Sequence, residues 1–198
     1  MLLNQIEKAL MNNPLRALTQ RLFEARRFLK MGGSRSGGVA LEIGCGRGVG
    51  AEIILDIFGA ARVDAFDLDS HMIELAQRRL VKYGEKVRLW AGDVTKILAE
   101  DNSYDAVFDF GILHHVPNWR DGLKEVHRVL KPLGRFYAEE ALDPFITHPL
   151  WRRVLEHPQE DRFGHDGFVD ALEACGFAVR ATERLRKSFA WFVADKRN

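Results

Sequence analysis

Cysteine is scarce in this sequence. Its 198 residues hold two, Cys45 and Cys175, with no CxxC spacing and no partners at zinc-ligand spacing. That excludes a disulfide-stapled secreted module and a zinc-built domain, and no metal site is expected. A reduced, cytoplasmic setting is the expectation. Long apolar runs are missing too, since none reaches the roughly 18 residues of a membrane span. The N-terminus lacks an apolar stretch followed by a small-residue cleavage site, so no secretory leader is expected. Net charge is close to absent: 29 basic against 28 acidic residues leave +1. Nothing in that balance calls for DNA, RNA or an anionic membrane. There is no internal repeat and no low-complexity tract.

What is present suits one globular domain able to bury a sizeable core. The charge is unevenly spread. Residues 1–36 carry seven basic side chains against Glu7 and Glu24, a local +5, and the remainder carries 22 against 26, or −4. Leu15, Leu18, Leu22, Ala25 and Leu29 recur three or four apart, which predicts an N-terminal amphipathic helix with a narrow apolar stripe and basic polar faces. A glycine- and serine-rich loop over 32–38 ends it.

Strands and helices then alternate. Strands are predicted over Val39–Ile43, Arg62–Phe66, Lys86–Ala91, Tyr104–Phe110, Arg135–Ala141, Phe177–Thr182 and Ser188–Ala194. Helices are predicted over Val49–Phe58, Ser70–Tyr83 with Ser70 as N-cap, Trp119–Leu130 and Gly167–Ala174. This spacing implies an α/β fold, a doubly wound, mainly parallel seven-stranded sheet with helices on both faces. Only the short turn Glu183–Lys187 separates the last two strands, too little for a parallel crossover, so the last strand is expected to run antiparallel. The organisation expected is a single domain: a helical cover over 1–36, a ligand-binding core over 39–141, a lid-like insert over 143–165, and a C-terminal helix and strands over 166–198.

The strongest motif is Leu41-Glu42-Ile43-Gly44-Cys45-Gly46-Arg47-Gly48. A glycine-rich turn follows a buried strand and opens a helix, so a ligand can approach the backbone closely. Gly46 to Ala51 also fits a dinucleotide fingerprint, and Asp67, about 20 residues on, would hold ribose hydroxyls in either setting. Three acids favour a cationic, zwitterionic ligand over a diphosphate. Glu42 precedes the glycines, Asp93 follows the third strand, and Asp109 lies near the end of the fourth, at the switch point where ligands sit.

With these residues in place, the chain resembles class I S-adenosylmethionine-dependent methyltransferases, in particular the small branch of ubiquinone/menaquinone-biosynthesis-type enzymes. The matching stretches are LEIGCGRG, VDAFDLDSHMIELAQ, AGDV, SYDAVFDFGILHHVPNW and EVHRVLKPLGRF, which together cover roughly 39–141. The resemblance implies S-adenosylmethionine as cofactor, S-adenosylhomocysteine as product and a small-molecule acceptor. It implies that Glu42 and the backbone of Gly44, Cys45, Gly46 and Gly48 border the methionine part. Asp67 would take the ribose hydroxyls and Leu68 would pack on the adenine. Asp93 would accept from the adenine amino group, with the Val94 amide nearby. Phe110 and Gly111 would meet the ammonium, and Asp109 would either join them or be a buried acid paired with an arginine. Asp69 reads as a helix-terminal acid. The sequence departs from the family pattern at Glu42, where aspartate is commoner, at Asp109, where a small polar residue is frequent, and at Leu133, which interrupts a glycine pair.

Methyl transfer from a sulfonium needs a general base only if the acceptor must lose a proton. His115, with His114 beside it, is the candidate at the cleft rim. Glu139 and Glu140 should point opposite ways from their strand, to bind a cationic acceptor or to pair with Arg152 or Arg153. Trp151 in the insert is a candidate acceptor contact. The N-terminal helix either covers the cofactor or makes a peripheral membrane contact, without membrane insertion. The expected assembly is a monomer or homodimer.

Overall fold

The computed structural model describes residues 13–34, 36–147 and 161–198. An N-terminal helix runs in three consecutive pieces: α1 (Pro14–Thr19), a π-helical turn (Gln20–Glu24) and α2 (Ala25–Gly32). Asn13 caps it, its Oδ1 accepting from the Arg16 amide at 2.8 Å. The strands are β1 (Val39–Ile43), β2 (Arg62–Asp67), β3 (Val87–Ala91), β4 (Tyr104–Phe110), β5 (Leu130–Ala141), β6 (Phe177–Leu185) and β7 (Phe189–Lys196). The helices between them are α3 (Val49–Asp56), α4 (Ser70–Leu80), α5 (Trp119–Val129), α6 (Asp143–Ile146) and α7 (His165–Ala174).

The seven strands lie in the order β3-β2-β1-β4-β5-β7-β6. The pairs from β3 to β5 are parallel, and β7 is antiparallel to both neighbours. Residues 186–188 are all that join β6 to β7. So short a link permits only a hairpin, and β7 returns between β5 and β6.

Strand alternation divides the core into two layers. On one face Phe108, Phe110 and Tyr137 pack with Phe28 of α2, Ile53 and Ile54 of α3, and Ala76 and Leu80 of α4. On the other, Val107, Phe136 and Ala138 pack with Trp119, Leu123 and Val126 of α5 and Phe168 and Leu172 of α7. Helices therefore cover both faces, as a mainly parallel sheet requires.

Three details differ from the sequence expectations. Asp69, not Ser70, caps α4, its side chain accepting from the His71 amide. An aspartate one residue earlier reaches the open amides of the first turn equally well. Next, β5 begins at Leu130 rather than Arg135, with a register shift against β4. Leu133 holds the left-handed φ of 61° within it, at the position where the family pattern has glycine.

The third is the apolar stripe of the N-terminal helix. Leu15, Leu18 and Leu22 are exposed, by 72%, 52% and 39%, whereas Ala25 and Phe28 are fully buried. The wider π turn shifts the helical phase between the two halves, so one stripe cannot face the core along its whole length. Ion pairs attach this helix to the domain: Arg21 to Asp56, Arg27 to Glu183 at 3.1 Å, and Arg16 to Glu139 at 3.4 Å. At its end, Tyr137 donates to the Gly33 carbonyl at 2.7 Å. No helix among the described residues is long and apolar enough to cross a membrane.

Candidate functional site

A cavity of about 280 Å³ opens at the C-terminal ends of β1, β2 and β4 and at the loop after β3. Here β1 and β4 are neighbours while their connections leave to opposite sides, the place where such sheets bind ligands.

The turn after β1 forms one wall. Gly44 has φ 65°, and a Cβ there would stand 2.3 Å from Cγ2 of Ile112. Both conformation and space therefore demand glycine. Three of the turn's amides are satisfied within the protein. Cys45 donates to the Phe66 carbonyl at 2.9 Å, Gly46 to Asp67 Oδ2 at 2.8 Å, and Gly48 to the Cys45 carbonyl at 2.8 Å. Gly48 is not in the cavity wall. A Cβ on it would meet Cδ1 of Leu80 at 2.8 Å, so it is needed for packing α3 against α4. Gly50 is in the wall, and a Cβ there would lie 1.9 Å from Glu42 Oε1.

Glu42 faces the cavity but is only 2% exposed, and its Oε2 has no hydrogen-bond partner among the described residues. Burial pushes its carboxyl well above the usual range. A bond from the Ala51 amide opposes the shift, and the negative charges of Asp67 and Asp109 add to it. The Cys45 thiol is pushed up by burial, by Glu42 and by Asp67, so it is no ready nucleophile.

The acids of the next two strand ends are more open. Asp67 accepts from the Gly46 amide through one oxygen and from the Asp69 amide at 2.9 Å through the other. Asp93 accepts from both the amide and the hydroxyl of Thr95 at 2.8 Å. Leu68, 48% exposed, and Val94 complete that side.

The segment after β4 brings Phe110, Gly111, Ile112 and His115 to the wall, and Val116, Pro117 and Asn118 continue it. Asp109, His114 and Glu140 lie behind it rather than in it. Asp109 is fully buried and pairs with no arginine among the described residues. Its Oδ1 accepts from the amides of Gly111 and Ile112, each at 2.8 Å. Glu140, also fully buried, accepts from the amides of Leu113 at 3.0 Å and His114 at 3.1 Å, and its Oε2 lies 2.5 Å from His114 Nδ1. Glu140, expected as an acceptor contact, is not in the cavity wall, and its oxygens bond to the turn.

Asp109 Oδ2 meets no donor among the described residues, and the Asp109 and Glu140 carboxyls act on one another, raising Asp109 and lowering Glu140. Burial and the Glu140 charge raise Asp109 well above its normal range. Burial pushes Glu140 up to about 7, against the bonds it receives from Asp109 and the two amides.

Glu139 points to the opposite face and meets Arg16, which also pairs with Glu24 of the π turn. Burial and the Glu139 charge push Glu24 up to about 9, although Arg16 pulls the other way. Arg152 and Arg153, the partners expected from sequence, and Trp151 lie outside the described residues, as does most of the 143–165 insert.

Eleven of the expected residues thus share one cavity: Glu42, Gly44, Cys45, Gly46, Asp67, Leu68, Asp93, Val94, Phe110, Gly111 and His115. Sequence reasoning missed Gln20 and Met72 as wall residues. Gln20 reads in sequence as one more polar position on an amphipathic helix and carries no signal. Extending the switch-point argument past Gly111 would have found Ile112 and Val116. Among the described residues no group of three His, Cys, Asp or Glu side chains could hold a metal.

A family profile described as a methyltransferase domain matches residues 40–134. The chain is 28% identical over 178 residues to phosphoethanolamine N-methyltransferase 2 of Caenorhabditis elegans, covering 85% of this chain and 39% of that protein. It is 34% identical over 131 residues to demethylmenaquinone methyltransferase of Staphylococcus aureus, covering 65% of this chain and 53% of the relative. The chain thus spans about half or less of the length of these relatives. Among solved structures, a SAM-dependent methyltransferase from Aquifex aeolicus superposes with a TM-score of 0.72 at 22% identity, over 96% of each chain. The [4+2]-cyclase SpnF superposes with a TM-score of 0.73 at 16% identity, over 88% of this chain and 80% of its own. At these identities the likeness is one of fold, and the cyclase shows that this fold hosts more than one chemistry. Strands β2, β3 and β4 and the glycine turn held against Asp67 fall within the stretch that matches the methyltransferase domain, and over that stretch the chain is similar to methyltransferases.

Proposed function

We propose that this protein transfers the methyl group of S-adenosylmethionine to a small-molecule acceptor by in-line displacement. One observation carries the reading. The cavity wall at the glycine turn offers a buried carboxylate oxygen, Glu42 Oε2, unpartnered among the described residues, while the turn amides of Cys45, Gly46 and Gly48 are already engaged. A diphosphate would meet the Asp67 carboxylate and three turn amides that are already engaged. A zwitterion with an ammonium group supplies what Glu42 lacks, so the residues present fit the cofactor.

When bound, that cofactor supplies a methyl group on a positively charged sulfur. The chain's part is to bind, orient and desolvate. Asp67 would receive the ribose hydroxyls, and Asp93 with Val94 would receive the adenine edge. Glu42, with the backbone at Phe110 and Gly111, would hold the amino-acid end. His115 is the side chain placed to take a proton from an acceptor that must lose one. Gln20 brings the N-terminal helix into the wall, which supports its role as a cover.

The acceptor class is narrowed only to small molecules. A lipophilic acceptor, with peripheral membrane contact through the N-terminal helix, is favoured by one observation: Leu15 and Leu18 of α1 and Phe23 of the π turn are more than half exposed. Two unbridged cysteine positions agree with a reduced cytoplasmic setting.

Calorimetric titration with S-adenosylhomocysteine and, separately, NAD tests the cofactor assignment. Micromolar binding of the first and none of the second is expected. The reverse pattern would replace the methyltransferase reading with an oxidoreductase one. A screen of candidate acceptors that reads S-adenosylhomocysteine release then identifies the substrate.

A further inference from the structure

The segment after β4 is held in an unusual way. Four consecutive amides, those of Gly111, Ile112, Leu113 and His114, are all bound by two side-chain carboxyls, Asp109 and Glu140. Both acids are fully buried, and they come from adjacent strands, β4 and β5. Burying carboxyl groups costs several kcal/mol each unless their bonds are nearly complete, and a serine or asparagine cap would tie a turn at far lower cost. Here the bonds are nearly complete: the two acids engage four amides, and Glu140 also lies 2.5 Å from the His114 ring nitrogen.

The cavity lies on the other side of this segment. With its amides engaged behind it, the wall from Gly111 to His115 has no N–H from residues 111–114 to offer an anion. Its polar side chain toward the cavity is His115, whose ring centroid lies 4.2 Å from that of His114. Arg162 supports the same segment from outside, donating to the His114 carbonyl.

We propose that Asp109 and Glu140 form a positioning pair that clamps residues 111–114 and thereby fixes His115 in the cavity wall. The pair holds one shared proton, with Asp109 as donor and Glu140 as acceptor. The two acids are therefore not equivalent. An asparagine at 109 can still accept from the two amides and donate to Glu140. A glutamine at 140 must turn an NH2 group toward groups that are themselves donors. Neither acid touches the cavity, so neither is a catalytic residue. The relevance of His115 to catalysis rests on the methyltransferase reading; the clamp itself does not.

The test uses the full chain with ring-15N histidine, with His115→Ala to assign the His115 signals. These are followed by NMR from pH 5 to 9, and S-adenosylhomocysteine binding is measured in parallel. The ionisable groups packed around this segment are Asp109 of β4, Glu139 and Glu140 of β5, Glu42 of β1, Arg162 and His114, and all but the substituted one are kept.

Asp109→Asn is expected to leave the His115 ring signals and midpoint close to wild type. Glu140→Gln removes the negative charge and disturbs the turn, so the His115 midpoint should fall by about half a pH unit or more, with altered ring shifts. If Glu140→Gln does not fold, His114→Gln serves instead. It removes the ring bond, leaves both amide bonds and should also move the His115 signals. A folded Glu140→Gln or His114→Gln protein with unmoved His115 signals overturns the proposal. So does an Asp109→Asn protein that moves them as far as Glu140→Gln. A wild-type protein that fails to bind S-adenosylhomocysteine refutes the cofactor reading instead, and the histidine titration, which needs no ligand, still decides the clamp.

Discussion

Four of the acids around the cavity divide into two pairs. Asp67 and Asp93, at the ends of β2 and β3, each bond the amide two residues on, Asp67 also holds the Gly46 amide 21 residues back, and both remain in the cavity wall. Asp109 and Glu140, at the ends of β4 and β5, are fully buried, and Glu140 ties down amides 26 and 27 residues away. Both pairs accept N–H bonds, so bonding does not distinguish them. Exposure does. An acid with one side open to a cavity can offer its remaining lone pairs to hydroxyl or amino groups of a ligand. An acid sealed behind a segment can only shape that segment.

The comparison can be broken most directly by truncation. Glu140→Ala leaves the buried Leu113 and His114 amides without acceptors, which should cost about 3 kcal/mol or more of stability. Thermal unfolding followed by circular dichroism should show a midpoint lower by roughly 6–12 °C. A drop of a degree or two would mean the turn holds itself and the division between the pairs is wrong.

Asp67→Ala should do the opposite. Stability should fall by only about 1 kcal/mol, while S-adenosylhomocysteine affinity drops roughly 10- to 100-fold, as expected for losing charge-assisted bonds. Calorimetry on the folded variant measures it. Unchanged affinity would move Asp67 into the structural group.

Glu42 sits between the pairs, being buried like one and ligand-facing like the other. Burial disfavours its ionised form in the empty cavity, and an ammonium group would favour that form. Binding should therefore release a proton, and affinity should rise with pH through the range where Glu42 ionises. Titrations in buffers of different ionisation enthalpy should detect that proton in wild type and lose most of it in Glu42→Gln. Affinity in the variant should be roughly ten-fold weaker, the scale of one charge-assisted bond. Equal proton release in both proteins would assign the effect elsewhere.

The smallest effect belongs to Gln20, one neutral amide on the cover. Gln20→Ala should weaken S-adenosylhomocysteine binding by about two- to ten-fold, the worth of one neutral hydrogen bond, with little change in stability. A larger loss would make the N-terminal helix part of the cofactor site rather than a cover.

Much of this was legible in the sequence because it is local. The LEIGCGRG turn, the acid one strand later and the short 186–188 link each have their consequence within a few residues or one strand-helix unit. Glycine spacing, strand alternation and link length therefore predicted the sheet, the antiparallel β7 and the cavity's first three walls. Glu139 and Glu140 were expected to point opposite ways, and they do, because alternation is a property of the strand itself.

What the sequence could not decide was partnership across distance. That Glu140 bonds to residues 113 and 114, that Arg16 reaches Glu139, and that Gly48 packs on Leu80 rather than lining the cavity all depend on which segments the fold brings side by side. The exposure of Leu15, Leu18 and Leu22 has the same origin, since a π turn rotates the helix faces and a periodic pattern does not announce it. Residue order determined the elements and the chemistry they can carry. Only the tertiary structure decided which acids meet solvent and which are sealed, because burial belongs to the packed assembly and not to any residue in it.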